Sequence, residues 1–307
     1  MLKRILVPLD GSPLAEKALV QAGRLLRGSG TEVILTRVVE PVPLVPHHYI
    51  GLVPKLLSEA AEYLAQVADR LRKSGLQVRT VVGEGLAWEQ IFEAAGREKA
   101  TLVALTSHGR TGLSRWMLGS VAEKVIRGSP VPVLVLRSFE TAPDGGASPT
   151  SEKELAFHKL LVPIDGGAGS LAALEPAAIV AKACGSSIVL VHVESRLEYP
   201  PGTYSAKLVD APAKPPAGSI PEDAGKRLNH AGEILAARGL DVTTLRVGGD
   251  AASRIVDLPK ELEADLIVMA THGRTGLSRF ILGSVTEKVL RHSRLPMLIV
   301  PPAGDGA

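Results

Sequence analysis

A carboxylate and a glycine-serine pair each occur twice in this sequence, at matching positions. Asp10 and Asp165 each end a short apolar run, where a carboxylate could accept hydrogen bonds from sugar hydroxyls. Further along, Gly119-Ser120 and Gly283-Ser284 each open a helical pattern, and the unpaired N–H groups at a helix N-terminus favour an anion such as phosphate. If the carboxylate and the helix start are neighbours in space, together they describe a nucleotide pocket.

The segment that carries the glycine-serine pair is itself a repeat. The sequence HGRTGLSRWMLGSVAEKVIRGSPVPVLVL at 108–136 returns as HGRTGLSRFILGSVTEKVLRHSRLPMLIV at 272–300, with 19 of 29 positions identical. Each copy contains a glycine loop, then a helix, then a strand. Ser120 with Glu123, and Ser284 with Glu287, match a capping box and predict that each serine is the N-cap of its helix. The chain is therefore two copies of one unit.

Strands and helices alternate along each copy. Apolar runs predict strands at 4–10, 33–39, 77–82, 101–106 and 131–136 in the first copy, and at 158–165, 187–193, 241–247, 265–270 and 295–300 in the second. Between them, helices are predicted at 13–28, 55–74, 87–99, 222–238 and 251–263, in addition to those that begin at the two serines. This alternation predicts an α/β fold of two tandem five-stranded open parallel sheets with helices on both faces.

The repeat also predicts the domain boundaries. The first domain spans 1–138, a polar stretch rich in Gly and Pro at 139–156 is a linker, the second domain spans 157–302, and 303–307 is a tail. A Pro-rich stretch between Pro200 and Pro221 makes the second copy longer and predicts a surface loop. The last strands of the two copies could pair with each other or between chains, and two identical folds predict a two-fold-like packing of the halves.

The composition is globular and excludes several classes of protein. Hydrophobic residues make up 45% and charged residues 22%, with only four Phe, four Tyr and two Trp, so stacking of exposed bases is not expected. A net charge of +3 demands no nucleic-acid partner. Cys184 has no second cysteine to pair with, and no apolar run is long enough for a signal peptide or a membrane span. We therefore expect a cytoplasmic protein with no membrane partner.

The glycine spacing resembles that of the universal stress protein family, in its tandem two-domain form. Nucleotide-binding members of that family carry a G-x2-G-x9-G-S/T signature. Gly109, nine residues and Gly119-Ser120 are similar to its last part, and so are Gly273, nine residues and Gly283-Ser284. The resemblance covers nearly the whole chain outside the linker and the Pro-rich stretch.

The resemblance implies strand order 3-2-1-4-5 and ATP, alone or with Mg²⁺, lying across strands one and four. In the first copy it implies Asp10 and Val38 near ribose and adenine, with the phosphates surrounded by Gly109, Gly119, Ser120 and Val121. The corresponding residues of the second copy are Asp165, Val193, Gly273, Gly283, Ser284 and Val285, and Ala270 is a further site residue there. Thr106 and Ala270 stand where the signature has its first glycine, and either side chain could crowd a phosphate or ribose.

Three functions remain open at this point. The first is a stress-response regulator in which one or both halves bind ATP or another adenine nucleotide, and binding changes conformation or the choice of an unknown protein partner. The second is an interaction or homodimerisation scaffold whose pocket Thr106 and Ala270 have closed. The third is an adenylyl-transfer or slow ATP-hydrolysing enzyme, for which the sequence offers no evident base and no pyrophosphate loop.

Structural roles compete with several of these assignments. Asp10 could simply cap the turn at Gly11-Ser12. His108 and His272 have no nucleophile and acid at a recognisable spacing, so we predict no catalytic residue. His47-His48 lacks further ligands nearby, so we predict no metal site. Four loop arginines could either neutralise phosphates or lie solvated at the surface: Arg110, Arg115, Arg274 and Arg279.

Overall fold

Each half of the chain forms a five-stranded parallel sheet. The structure is a computed structural model that describes residues 2–26, 30–40, 52–107, 118–137, 157–194, 222–271 and 282–302. The strands are β1 (Arg4–Pro8), β2 (Glu32–Val39), β3 (Gln77–Glu84), β4 (Leu102–Thr106), β5 (Val133–Leu136), β6 (Lys159–Pro163), β7 (Ser187–Glu194), β8 (Val242–Gly248), β9 (Leu266–Ala270) and β10 (Met297–Val300). Their spatial order is β3-β2-β1-β4-β5 in half one and β8-β7-β6-β9-β10 in half two. The predicted α/β class and the 3-2-1-4-5 order are confirmed.

The two sheets join edge to edge into one ten-stranded mixed sheet. β5 and β10 pair antiparallel, with Val135 opposite Met297 and Val133 opposite Ile299. Of the two predicted pairings for the last strands, the structure has the one within the chain. β3 and β8 are left as the sheet edges, so a homodimer, which stays a prediction, would need a surface other than β5 and β10.

Helices cover both faces of the sheet. One layer contains α1 (Pro13–Gln21), α2 (Gly23–Leu26), α3 (Leu52–Lys73), α6 (Ala168–Leu171), α7 (Leu174–Cys184) and α8 (Glu222–Ala236), and the other contains α4 (Ala87–Arg97), α5 (Ser120–Gly128), α9 (Ala251–Leu262) and α10 (Ser284–His292). Alternate residues of β2 face opposite layers, because side chains along a strand point up and down in turn. Val33 and Leu35 pack in the first layer and Ile34 packs in the second. Both faces of the sheet are therefore buried, as the continuous apolar runs predicted.

The first helix differs from its prediction at its C-terminal end. Its start is confirmed, since Ser12 is the N-cap, its hydroxyl accepts from the Ala15 N–H at 3.1 Å, and Pro13 is the first helical residue. The predicted helix over 13–28 is instead broken at Ala22, which has φ −80° and ψ 3°. The break falls directly before Gly23, a residue type that propagates helix poorly. Two short helices therefore replace one long one.

Several predicted segments lie outside the described residues. These are the linker at 139–156, the Pro-rich stretch from Pro200 to Pro221 and the tail at 303–307, so the domain boundaries stay predictions. Among the helices that the structure describes, none has the length and apolar character needed to cross a membrane.

Candidate functional site

The carboxyl ends of β1, β2 and β4 surround a cavity in half one. In the sheet, β1 lies between β2 and β4. The chain builds outward from β1 through β2 to β3 on one side, and from β4 to β5 on the other, so the strand order reverses between β1 and β4. Open α/β sheets bind ligands at such a reversal. The cavity has a volume of about 590 Å³, within the range of small-molecule sites. The described residues that the sequence predicted for this half all line it, namely Asp10, Val38, Gly119, Ser120 and Val121.

The turn after β1 fixes Asp10 on the cavity wall. Its Oδ1 accepts from the Ser12 N–H at 2.9 Å and from the Ser12 hydroxyl at 2.6 Å. The alternative that Asp10 caps this turn is therefore confirmed. Gly11, at φ +85°, provides the left-handed conformation that the turn needs. The capping bonds leave the carboxylate in the cavity lining, so they orient it for the predicted role and do not replace that role.

The capping-box prediction for the glycine-loop helices is wrong. Gly119 is the N-cap, with extended angles of φ −60° and ψ 144°, and Ser120 is already helical; Gly283 and Ser284 repeat this arrangement. Because each N-cap is a glycine, neither N-cap residue has a side chain to cap the helix start. Ser120 cannot accept from the Glu123 N–H, because that N–H donates to the Gly119 carbonyl at 2.8 Å as an ordinary helical bond. Each helix therefore begins one residue earlier than predicted.

The Glu123 side chain, which the capping box would use, is engaged elsewhere. It accepts two hydrogen bonds from Arg127, at 3.1 Å and 2.9 Å, one turn along α5. Arg127 also lies 3.6 Å from Glu287 of α10, so this cluster connects the two halves. The first turn of α5 is thus left with backbone N–H groups and the Ser120 hydroxyl at the cavity wall, an arrangement suited to an anion.

A backbone hydrogen bond fixes the start of each helix beside the strand that precedes it. The Gly119 N–H donates to the Ser107 carbonyl at 2.9 Å, and the Gly283 N–H donates to the Thr271 carbonyl at 2.7 Å. These bonds close the base of each glycine loop. Most of the loop itself lies outside the described residues, including Gly109, Gly273, the two loop histidines and the four loop arginines, and the His47-His48 pair does so too.

Half two places its predicted residues at equivalent positions. Asp165 follows β6, where its Oδ1 accepts from the Gly167 N–H at 2.8 Å and from the Ser170 hydroxyl at 2.5 Å. Val193 lies near the end of β7, and Ala270 ends β9 with its carbonyl accepting from the Thr286 hydroxyl at 2.9 Å. The remaining predicted residues open α10, namely Gly283, Ser284 and Val285.

Thr106 does not close the cavity of half one. The residue is 8% exposed and lines the cavity at the end of β4. The volume of about 590 Å³ is measured with the threonine side chain in place. The crowding expected from a threonine in place of the first signature glycine is therefore not enough to fill the pocket.

Sequence reasoning missed three charged residues of the cavity lining: Arg37, Glu40 and Glu59. A signal for Arg37 was present, since it is the one charge inside the apolar run of β2 from Val33 to Val39. Glu40 also accepts from the Ala87 N–H at 3.0 Å and so caps α4. Glu59 gave no usable signal, because an exposed glutamate on a helix is commonplace.

Comparison with known proteins identifies the family. The model of the universal stress protein family matches residues 1–137 and again residues 156–301. A universal stress protein of Methanocaldococcus jannaschii is 35% identical over 139 residues, which is 44% of this chain and 82% of that protein. A universal stress protein of Mycolicibacterium smegmatis is 26% identical over 311 residues, which covers 97% of both chains.

A solved structure shares the whole architecture. The crystal structure of a universal stress protein from Archaeoglobus fulgidus matches 99% of this chain and 100% of its own, with a TM-score of 0.73 and 24% identity, a likeness that bears on the fold alone. The family model, by contrast, matches nearly all of the sequence in two consecutive stretches. The chain therefore belongs to the universal stress protein family, with one copy of the family domain in each half.

Proposed function

We propose that half one binds an adenine nucleotide, ATP in particular, and that the protein is a stress-response regulator controlled by this binding. The observation that carries the proposal is the cavity at the carboxyl ends of β1, β2 and β4. It combines a carboxylate fixed at the end of β1 with the start of α5, whose N-cap is a glycine, in one cavity. A sugar hydroxyl suits the first feature and a phosphate suits the second.

The size and lining of the cavity suit such a ligand. Apolar side chains from β2 and α4, Val38 and Ile91, supply surface for a base, while Gly119 leaves the helix start open to close approach. Within the described ranges, no group of three or more His, Cys, Asp or Glu side chains could hold a metal ion.

Calorimetric titration of ATP into nucleotide-stripped full-length protein tests the proposal. Gly119→Val places a branched side chain at the helix start, and φ of −60° at Gly119 is an angle that valine adopts, so the variant should fold. We expect wild type to bind ATP and Gly119→Val to lose the half-one site. Far-UV circular dichroism and thermal unfolding check that the variant remains folded.

Gly283→Val is the matched variant in half two, because Gly283 has the same backbone angles, φ −60° and ψ 145°. We expect it to leave the half-one site intact. A stoichiometry near two that falls to one in either variant would mean that both halves bind. The proposal is wrong if stripped, folded wild-type protein does not bind ATP at millimolar concentration, or if binding is unchanged in Gly119→Val.

A further inference from the structure

Arg37 is a cation on the wall of an otherwise acidic cavity. The carboxylates of Asp10, Glu40 and Glu59 line the cavity, and Arg37 is the only cation among the described lining residues. Without it, the described lining would repel the phosphates of a nucleotide. Among the described lining residues, the guanidinium of Arg37 is therefore the side chain that favours an anionic ligand.

Within the described part of the chain, the Arg37 guanidinium is held by packing and makes no ion pair. Its central carbon lies 4.8 Å from the centroid of the Tyr63 ring, a cation–π contact with α3. It also lies against the turn after β1, where a Cβ atom added to Gly11 would come within 3.1 Å of Nη2. Among the described residues, no hydrogen bond or carboxylate contact within 4 Å engages the guanidinium, so its N–H donors remain available to a ligand.

A chain of contacts keeps Tyr63 in place below Arg37. The Tyr63 hydroxyl donates to Glu16 Oε1 at 2.9 Å, and Arg70 donates to Glu16 Oε2 at 2.6 Å. Burial and the hydrogen bond to Glu16 raise the pKa of Tyr63, so the phenol stays protonated at neutral pH. Glu16 is thus engaged by Tyr63 through one oxygen and by Arg70 through the other, and it fixes the ring on which the Arg37 guanidinium packs.

Half two uses the same two positions differently. His192 takes the place of Arg37 in the strand, is 8% exposed, and its Nδ1 lies 2.9 Å from the Ile164 carbonyl oxygen. Arg227 of α8 takes the place of Tyr63, and its Nη1 donates to the Gly166 carbonyl at 2.9 Å. An arginine thus covers the turn after the first strand in each half. In half one this arginine is Arg37 of β2, which packs against the turn. In half two it is Arg227 of α8, which donates a hydrogen bond to the turn.

From this asymmetry we infer that Arg37 is a ligand-binding residue that makes half one selective for phosphorylated nucleotides, through charge-assisted hydrogen bonds from its guanidinium to a ligand phosphate. The inference rests on the proposed function of the same cavity. It predicts that Arg37, together with the start of α5, lets half one distinguish ATP from adenosine. Half two, where His192 bonds to the backbone and Arg227 bonds to the turn, lacks this contact.

The test compares ATP with adenosine in the full-length chain. ATP affinity is measured by calorimetry, and adenosine affinity by competition against a fluorescent ATP analogue, for wild type, Arg37→Gln, Arg37→Lys and Arg227→Gln. We expect Arg37→Gln to weaken ATP at half one by about tenfold or more, the usual effect of losing a charge-assisted contact, and to leave adenosine unchanged. Arg37→Lys should retain part of the ATP affinity, because it keeps the charge without the planar fork. Arg227→Gln should leave half one unaffected.

The outcomes separate this inference from the proposed function. If wild type does not bind ATP, or binding is unchanged in Gly119→Val, the proposed function fails and the inference fails with it. If ATP binding depends on Gly119 but is unchanged in Arg37→Gln, only the inference is overturned. An equal loss of ATP and adenosine affinity in a folded Arg37→Gln variant would also overturn it, because the residue would then shape the cavity without contacting a phosphate.

Discussion

Replacing Arg137 tests how the two halves are held together. The residue follows β5 in half one, is 3% exposed and reaches into half two. There its Nη2 donates to the Leu290 carbonyl at 2.6 Å and its Nε donates to the Leu295 carbonyl at 3.2 Å. The same Nη2 lies 3.6 Å from the Met297 sulfur. Among the described residues no carboxylate pairs with Arg137, so backbone carbonyls compensate the buried charge.

Two opposing effects set the expected magnitude for Arg137→Met. Hydrogen bonds to a charged group contribute about 1.5–3 kcal/mol each, and the variant loses two of them while leaving two carbonyls without this donor. Against this, burial lowers the pKa of Arg137 to about 10, which corresponds to about 3 kcal/mol of desolvation that methionine does not incur. We expect a net loss of about 2 kcal/mol in the free energy of unfolding. At neutral pH the guanidinium remains charged, so the effect should be present there in full.

Urea unfolding followed by far-UV circular dichroism measures this loss. Arg72→Met is the matched control, because Arg72 also donates to a backbone carbonyl, that of Val78 at 2.9 Å, but its side chain is 49% exposed. The control should change the free energy of unfolding by less than about 0.5 kcal/mol. An Arg137→Met variant that is as stable as wild type, or more stable, would refute this expectation. The desolvation free energy of the guanidinium would then equal or exceed the stabilisation from its hydrogen bonds.

Three further predictions concern caps and the joint between the halves. Ser12→Ala should destabilise by about 1 kcal/mol because it removes the cap of α1, whereas Ser120→Ala should stay within about 0.5 kcal/mol because Gly119 is the cap of α5; urea unfolding compares the two. Leu298→Ala should destabilise by about 3 kcal/mol, measured in the same way, because Leu298 is 1% exposed and lies opposite Leu134 where β10 meets β5. Asp250 caps α9 through bonds from Ser253 that lower its pKa below 3.8, so the stabilisation it gives is present above pH 3.8 and lost as pH falls through the lower folded value. The difference in urea midpoint between wild type and Asp250→Ala should therefore be constant near neutral pH and shrink below about pH 4; a difference that persists in acid would contradict this assignment.

The architecture was predictable because the apolar pattern and the repeat both specify it. Strands such as Leu102–Thr106 are buried along their whole length, so they read as uninterrupted apolar runs, and each run recurs in the second copy. Five of the predicted site residues could likewise be brought to one cavity. Parallel strands end at the same edge of a sheet, and the order 3-2-1-4-5 makes the ends of strands one and four neighbours.

What could not be predicted depends on backbone angles and on contacts distant in sequence. The pattern from Ser120 to Glu123 fits a capping box, yet the glutamate pairs with Arg127 and the preceding glycine becomes the cap. Arg37 was visible as a charge in an apolar strand, but its packing against Tyr63 depends on how α3 crosses the sheet. Residue types alone do not determine either choice, since Glu123 fits both a capping box and an i,i+4 pair with Arg127.

The two halves are most alike where they meet and differ most on the far side of the pocket. The segment with 19 identical positions of 29 supplies β5 and β10, which pair with each other, and α5 and α10, which Arg127 and Glu287 connect. The same helices begin at the predicted phosphate side of each site, so under the proposed function this segment both binds the ligand and joins the halves. The strands β2 and β7, with the helices α3 and α8, lie farther from the joint and carry Arg37 and Tyr63 in one half but His192 and Arg227 in the other. A substitution in these elements alters one half's pocket without disturbing the contact between the halves. A duplicated domain can in this way keep its assembly while the ligand preferences of its two halves diverge.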